Sequence, residues 1–368
     1  MIYLDNAATS FPKPRQVVNE VVRCITKYCG NPGRSSHRLA LAAADKIFET
    51  RELIANFLGF DKCENVVLTP NATYALNLVI KGMINERCHC IVSDLEHNSV
   101  LRPLYKSIEK HGGELSVFDT EKPICEAILP LIRPDTKVLI STLCSNVTGK
   151  ILDLNELSKI SSRYGLSLIL DGSQHLGHAR IDLSGVHFSA LCSAGHKSLF
   201  GIQGSAFTVI NNAELFDTLT EGGSGVDSFS KEMPKLLPER YEAGTLSTPA
   251  IASLGAGIKF INEVGIDRIE RRLHALTETL HGELMSVQWL DIYGIGNGIA
   301  SFNLRDLPSS YVASELDKYG IATRSGFHCA PLIHQRLGTV TRGAVRASLS
   351  YFNTEDDIYH LIKALKNI

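Results

Sequence analysis

The sequence predicts an α/β protein, with a large, mostly parallel sheet covered by helices on both faces and a smaller C-terminal α/β domain. Three observations carry this expectation. Apolar runs of strand length recur between residues 66 and 210, and segments with apolar residues at helical spacing lie between them. A stretch bearing Gly and Pro, from 221 to 238, breaks the alternation, and a second set of helices and strands follows it. Finally, 368 residues, 44% apolar and 21% charged, suffice for one sizeable core and a second, smaller one.

The elements follow in order. Val17, Val18, Val21, Val22 and Ile25 recur at helical spacing and predict a helix over residues 14–28, and the same pattern predicts another over 39–58. A strand at 66–68 leads into a helix at 73–82. Strands are then expected at 90–92, 115–118, 138–142, 168–170, 190–193 and 206–210, with helices at 100–110, 124–131 and 155–164. Beyond Pro234 and Pro238 come helices at 249–264 and 267–284, strands at 290–293 and 299–303, and a helix at 311–319. Thr354 and Glu355 open a last helix, 354–366. The domain division expected is 12–245 for the large part, with 1–11 and 246–368 forming the small one.

Composition narrows the function classes. Formal net charge is −2 and the basic residues are scattered, so neither a nucleic-acid surface nor a membrane-binding face is expected. Nine cysteines, an odd number spread along a long chain, do not read as a disulfide framework; Cys24, Cys144 and Cys192 sit in apolar segments. Cys88 and Cys90 flank His89 on a strand, which aims both thiols to one face, but no second ligand pair stands nearby and no metal site is expected. The first residues lack a basic segment followed by an apolar one, and no apolar run is long enough to span a bilayer. The expectation is a cytoplasmic protein with reduced thiols.

Chemistry enters at two strand ends. The run Leu168, Ile169, Leu170 delivers Asp171 to the end of a buried strand, and a second run, 188–192, delivers His196 and Lys197 beside a turn bearing Gly201 and Gly204. A lysine beside an aromatic cofactor can form a Schiff base, and an aspartate can keep a pyridine nitrogen protonated. That pairing is what pyridoxal 5′-phosphate chemistry requires. Taken singly, each is more simply read as a surface lysine after an edge strand or an aspartate at a strand end; the pair gains meaning only with further residues. Ligands of such sheets bind outside the carboxyl ends of the strands, where Thr73, His97, Asn146, Asp171 and Lys197 all fall.

Further segments point to a family. They are YLDNAATSFPKP (from Tyr3), SDLEHNSVLRPL (from Ser93), CSNVTGKILD (from Cys144), LILDGSQHLGH (from Leu168), SAGHKSLFGIQG (from Ser193), RYEAGTLST (from Arg240), RSGFHCAPL (from Arg324) and AVRASLSYFNTEDDI (from Ala344). In this order, across residues 3–358, they resemble the cysteine desulfurase and selenocysteine lyase branch of the class V aminotransferases. The resemblance implies the fold type I architecture of pyridoxal-phosphate enzymes. It implies that Lys197 carries the cofactor and moves the Cα proton, that Asp171 pairs with the pyridine nitrogen, that His97 stacks on the ring and that Gln174 hydrogen-bonds the ring hydroxyl. A helix-entry role is the other reading of His97.

The resemblance assigns the cofactor phosphate to Thr73 and His196, near a helix N-terminus. Ala72 and Ala194 stand where the family usually has Thr and Ser, so two hydroxyls are missing and backbone N–H groups take more of the load. Thr245 matches a threonine that the family supplies from a partner subunit, implying a homodimer with shared sites. Arg346 matches the clamp for the substrate carboxylate, and Arg324 and Asn146 match further substrate positions. A buried arginine needs an anion, which agrees with the clamp. Cys329 matches the thiol that takes sulfur from the substrate as a persulfide, in the spacing of the second, Suf-like group. Phe327 replaces that group's usual His, leaving His328 and Arg324 to favour the thiolate. The implied activity is conversion of L-cysteine to L-alanine, with sulfur passed from Cys329 to an acceptor protein. Selenocysteine lyase or another β-eliminating lyase on the same scaffold is the alternative, and a low-turnover docking module for a sulfur carrier is a third reading.

Overall fold

In the computed structural model, which describes residues 1–33 and 36–368, strands and helices alternate as the sequence predicts. The elements are β1 (Ile2–Tyr3), α1 (Arg15–Arg23), α2 (Arg38–Phe57), β2 (Val66–Thr69), α3 (Ala72–Met83), β3 (His89–Ser93), α4 (Asn98–His111), β4 (Glu114–Phe118), α5 (Ile124–Ile128), β5 (Thr136–Thr142), α6 (Leu154–Tyr164), β6 (Ser167–Asp171), β7 (Ala190–Ala194) and β8 (Ala206–Ile210). After an irregular stretch come α7 (Thr248–Val264), α8 (Ile266–Met285), β9 (Leu290–Gly296), β10 (Ile299–Leu304), α9 (Ser309–Lys318), β11 (Ile321–Ala322), β12 (Arg324–Gly326), α10 (Pro331–Arg336), β13 (Ala344–Ser348) and α11 (Glu355–Leu365). The helix expected over 14–28 stops at Arg23 and continues as a π turn, Cys24–Tyr28.

Seven strands form the main sheet in the order β2-β8-β7-β6-β5-β3-β4, and β8 alone runs against the others. The side-chain period of two explains why both faces are covered. Leu139, Leu168, Leu170 and Leu191 enter one core, while Val138, Ile140, Ile169 and Cys192 enter the core on the opposite face. Each buried Leu or Ile contributes roughly 1.5–3 kcal/mol relative to exposure. Ile251, Leu254, Ile258 and Ile261 of α7 join the first of these cores.

A second, antiparallel sheet has the order β12-β13-β10-β9 and its own core of Leu273, Phe302, Val312, Val345 and Leu361. Leu4 enters this core from the N-terminus, and β1 pairs in parallel with β11. The sequence reading missed β1 and β11 to β13, which are short or follow no clear alternation. The β9–β10 hairpin rests on the segment after β5. Ser301 Oγ donates to the Val147 carbonyl at 2.6 Å, and a Cβ on Gly149 would lie 1.8 Å from the Gly296 carbonyl oxygen. The site lies at this junction. Among the described residues, no helix is long and apolar enough to cross a membrane.

Candidate active site

A cavity of about 220 Å³ opens at the carboxyl edge of the main sheet. Its wall includes Ala72, Thr73, His97, Asn146, Asp171, Gln174, His196, Lys197, Arg324 and Arg346, so residues 274 positions apart in sequence (346 − 72) converge on one space. The topology explains this meeting: β3, β5, β6 and β7 are parallel neighbours, and the segments leaving their carboxyl ends emerge side by side.

Asp171 is the last residue of β6, buried, with one carboxylate oxygen accepting the Ser173 N–H at 2.9 Å. Lys197 follows β7 and lines the same cavity; burial pushes its amine down to about 8, with Arg346 and Arg324 adding to the effect and Asp171 opposing it. A lysine so placed is more readily neutral, and therefore nucleophilic, than one in water. The peptide before it is firmly held, because the His196 carbonyl accepts from Lys13 Nζ at 2.8 Å and from Thr9 Oγ1 at 3.0 Å.

The helix-entry reading of His97 is seen directly. The residue caps α4, Nδ1 accepting the Ser99 N–H at 3.0 Å, and its ring also lines the cavity. Burial, reinforced by the Lys197 charge, pushes the imidazole down to about 4, so it is neutral at pH 7 with its proton on Nε2. Ser99 links it to Thr73, with Oγ 2.9 Å from His97 Nδ1 and 2.8 Å from Thr73 Oγ1. Sequence reasoning missed Ser99, although it stands two residues after His97 in the quoted motif and restores a hydroxyl beside the position of Ala72. Ala72 is the first residue of α3, whose cap is Asn71, accepting the Tyr74 N–H at 2.8 Å, and this helix start lines the cavity. Ala194 also lines the cavity, and Ser193, one residue earlier, is buried with its hydroxyl unpartnered. Ser173 and Cys144, both in the cavity wall, were not anticipated either.

These residues fit pyridoxal phosphate. Gln174 Oε1 and His196 Nδ1 are buried polar atoms without a partner in residues that line the cavity. The N-terminus of α3, the Asp171 carboxylate and the buried Lys197 stand around the same space.

Two expectations need correction, those for the anion of Arg346 and for His328. The anion that satisfies buried Arg346 is internal: Asp5 accepts from Nη2 at 3.0 Å, and the Asn146 carbonyl accepts from Nη1 at 3.0 Å. Arg346 Nε remains without a partner, and the Arg324 guanidinium makes no hydrogen bond or ion pair among the described residues. Thr245, expected to serve a partner subunit's site rather than this one, is exposed in a separate groove with Arg51, Glu242 and Phe48. His328 cannot lend positive charge to the neighbouring thiol. It is buried, with Nε2 donating to the Ala344 carbonyl at 3.1 Å, and burial beside Arg346 pushes its imidazole down to about 2. Cys329 stands beside the cavity rather than in its wall.

Cys329 is exposed, in the turn Phe327–Ala330, where the Ala330 N–H donates to the Phe327 carbonyl at 2.9 Å. Both central residues are left-handed, with φ of 47° at His328 and 57° at Cys329. That is the form of a type I′ turn, which Asn and Gly favour; for other residues such backbone costs on the order of 1–3 kcal/mol each. The turn is bonded to the cavity wall. The Cys329 carbonyl accepts the Asn98 N–H at 2.7 Å, next to His97, and the His328 carbonyl accepts from Asn146 Nδ2 at 2.7 Å.

Comparison with known proteins agrees with this geometry. The family model for aminotransferase class V matches residues 2–361. A probable cysteine desulfurase of Methanothermobacter thermautotrophicus is 31% identical over 379 residues, covering all of this chain and 94% of that protein. The apo structure of a cysteine desulfurase from Thermococcus onnurineus superposes with a TM-score of 0.92 at 31% identity, covering all of this chain and 94% of the other. A cysteine desulfurase of Escherichia coli gives 0.90 at 25% identity, covering 99% and 94%.

Proposed function

The chain belongs to the aminotransferase class V family, and from that premise we propose that it is a pyridoxal-phosphate-dependent cysteine desulfurase that converts L-cysteine to L-alanine. The observation that carries this reading is the bonding of the Cys329 turn to the wall of the cavity that holds Lys197 and Asp171. When bound, pyridoxal phosphate supplies an electron sink that acidifies the Cα–H and polarises the Cβ–S bond.

The chain's own residues take the following roles. Lys197 attaches the cofactor and afterwards moves the proton at Cα; its depressed pKa suits a base working near neutrality. Asp171 holds the proton of the pyridine nitrogen, the neutral His97 covers the ring face, and Gln174 bonds the ring hydroxyl. The phosphate takes the N–H groups of Ala72 and Thr73, the Thr73 hydroxyl and His196. Arg346, oriented by Asp5, and the free guanidinium of Arg324 hold the substrate carboxylate, with Asn146 alongside. The Cys329 thiolate attacks the substrate sulfur; an S–S bond forms and the Cβ–S bond breaks. The electron pair stays with carbon, which takes up a proton and leaves as alanine.

The finer parts of the proposal are these. The persulfide sulfur passes to an acceptor protein, the molecule is a homodimer, and the exposed Thr245 serves the partner's phosphate site. The two separate cores support a division into 12–245 and 1–11 with 246–368, although α7 packs with the larger body.

One observation favours a second reading. With His328 neutral and turned inward, Cys329 lacks the imidazolium expected to activate it, which favours selenocysteine, whose weaker Cβ–Se bond depends less on an attacking thiol. The test is to purify the protein with cofactor, record its visible spectrum, and assay alanine and sulfide from L-cysteine, with L-selenocysteine in parallel. Equal alanine and sulfide under reductant support the desulfurase. A yellow protein inert to cysteine but active on selenocysteine supports the lyase, and a colourless protein that cannot be reconstituted overturns both.

A further inference from the structure

The left-handed turn at His328 and Cys329 needs something to hold it, and the helix that follows supplies an anchor. Arg336, the last residue of α10, reaches back across the junction to the segment between β3 and His97. Its Nη1 pairs closely with Asp94 Oδ2 and donates to Thr120 Oγ1 at 2.9 Å, and Nη2 lies 3.1 Å from Glu121 Oε1. Thr120 Oγ1 in turn donates to Asp94 Oδ1 at 2.8 Å. Asp94 and Thr120 are buried, and Arg336 is itself mostly covered, so this is a fixed pair rather than a solvated surface contact. The anchor and the Asn98-to-Cys329 bond enclose the turn between them. Asp94 precedes His97 by three residues and Asn98 follows it, so α10, the Cys329 turn and the start of α4 form one closed loop of contacts.

We propose that Arg336, through Asp94 and Thr120, is a positioning residue that holds the Cys329 turn in its left-handed form at the edge of the cavity, where the thiol meets the substrate sulfur. The inference rests on the assignment of Cys329 as the sulfur-accepting thiol. Without the anchor, the Arg336 end of α10 loses its tie to the segment after β3, and residues 328 and 329 can relax toward the right-handed backbone that His and Cys prefer, carrying the thiol away from the cavity.

The test uses the cofactor-loaded enzyme with Arg336→Gln and Arg336→Lys, the latter keeping the charge but losing the fork. Two readouts are taken: amide hydrogen exchange of residues 326–330, and kcat and KM for L-cysteine. For Arg336→Gln, exchange in that segment rises several-fold with the rest of the chain unchanged. Its kcat falls about tenfold while KM stays within about twofold, the signature of a lost arrangement at the reacting step rather than lost substrate binding. Arg336→Lys falls between Gln and the parent. Unchanged exchange in Arg336→Gln overturns the anchor, and raised exchange with parental kcat overturns its importance for the thiol. Cys329→Ala, assayed alongside, keeps the two ideas apart. If it still desulfurates cysteine, the assignment of the thiol falls, while the exchange data still decide whether Arg336 holds the turn.

Discussion

The floor of the cavity and its rim are built by opposite means. Asp171 ends a buried parallel strand, Lys197 stands three residues past the end of its neighbour, and His97 caps a fourteen-residue helix, so regular elements at or just before each residue carry its position. Cys329 is the exposed residue of a turn whose two central residues adopt a conformation they disfavour, held by the Asn98 N–H and the Asn146 side chain. The difference follows the chemistry proposed for each. A group that steadies a cofactor through a reaction gains from rigidity, whereas a thiol that must receive sulfur inside and deliver it outside has to remain accessible. Such strain is found where function requires a conformation that the local sequence would not choose.

That contrast can be broken in several ways, and the largest effect belongs to the floor. Lys197→Ala should lose the visible absorbance of the attached cofactor and reduce alanine formation by at least ~10²–10⁴-fold, as expected for removal of a proton-moving group. A yellow, active Lys197→Ala protein would remove the lysine from the mechanism. Next comes the rim: Cys329→Ala should keep the parental spectrum yet lose cysteine desulfuration by about 10²-fold or more, with selenocysteine turnover falling less. Equal losses on both substrates would mean that the thiol does not act on the sulfur.

A third effect concerns stability. His97 and His196 in the floor, with His175 and His178 just beyond Gln174, are all pushed by burial well below the ordinary imidazole value. Below about pH 6.5 the unfolded chain takes up protons that these folded rings refuse, so stability falls as pH falls, by on the order of 1 kcal/mol for each ring at a pH one unit lower. Buried Glu96 works the other way. Burial raises its carboxyl to about 8, so its contribution is present at low pH and is lost as pH rises toward that value. Urea midpoints at a series of pH values, with Glu96→Gln for comparison, should show the variant gaining on the parent as pH rises; parallel curves would contradict the assignment. The smallest effect is Ser99→Ala, which removes the hydroxyl between Thr73 and His97 and should weaken cofactor retention by about 1 kcal/mol, roughly fivefold. Unchanged retention on dialysis would place Ser99 outside the phosphate site.

The same contrast explains what the sequence could show. The floor was legible because apolar runs end where strands end, and a polar residue just past such a run is placed by the sheet itself; Asp171, His97 and Lys197 were all found in this way. The rim was legible only through resemblance, since nothing local marks His328 and Cys329 as left-handed. The Asp5–Arg346 pair was hidden because its members are 341 residues apart and meet only when the N-terminus crosses to the second sheet. The inward turn of His328 depends on a carbonyl of β13 sixteen residues away, which no spacing rule anticipates. Thr245 shows the limit from the other side. A motif match assigns it to a partner subunit's phosphate site, and within one chain it faces a groove away from the cavity, so a single chain's fold leaves its role open to test.

The most direct measurement is a single turnover of the cofactor-loaded enzyme with L-cysteine in the absence of reductant, followed by peptide mass analysis. The expected result is one alanine released per site and the mass of one added sulfur atom on the peptide containing Cys329, absent from the Cys329→Ala protein. Alanine released with the sulfur on another cysteine, or free in solution while Cys329 stays unmodified, would contradict it.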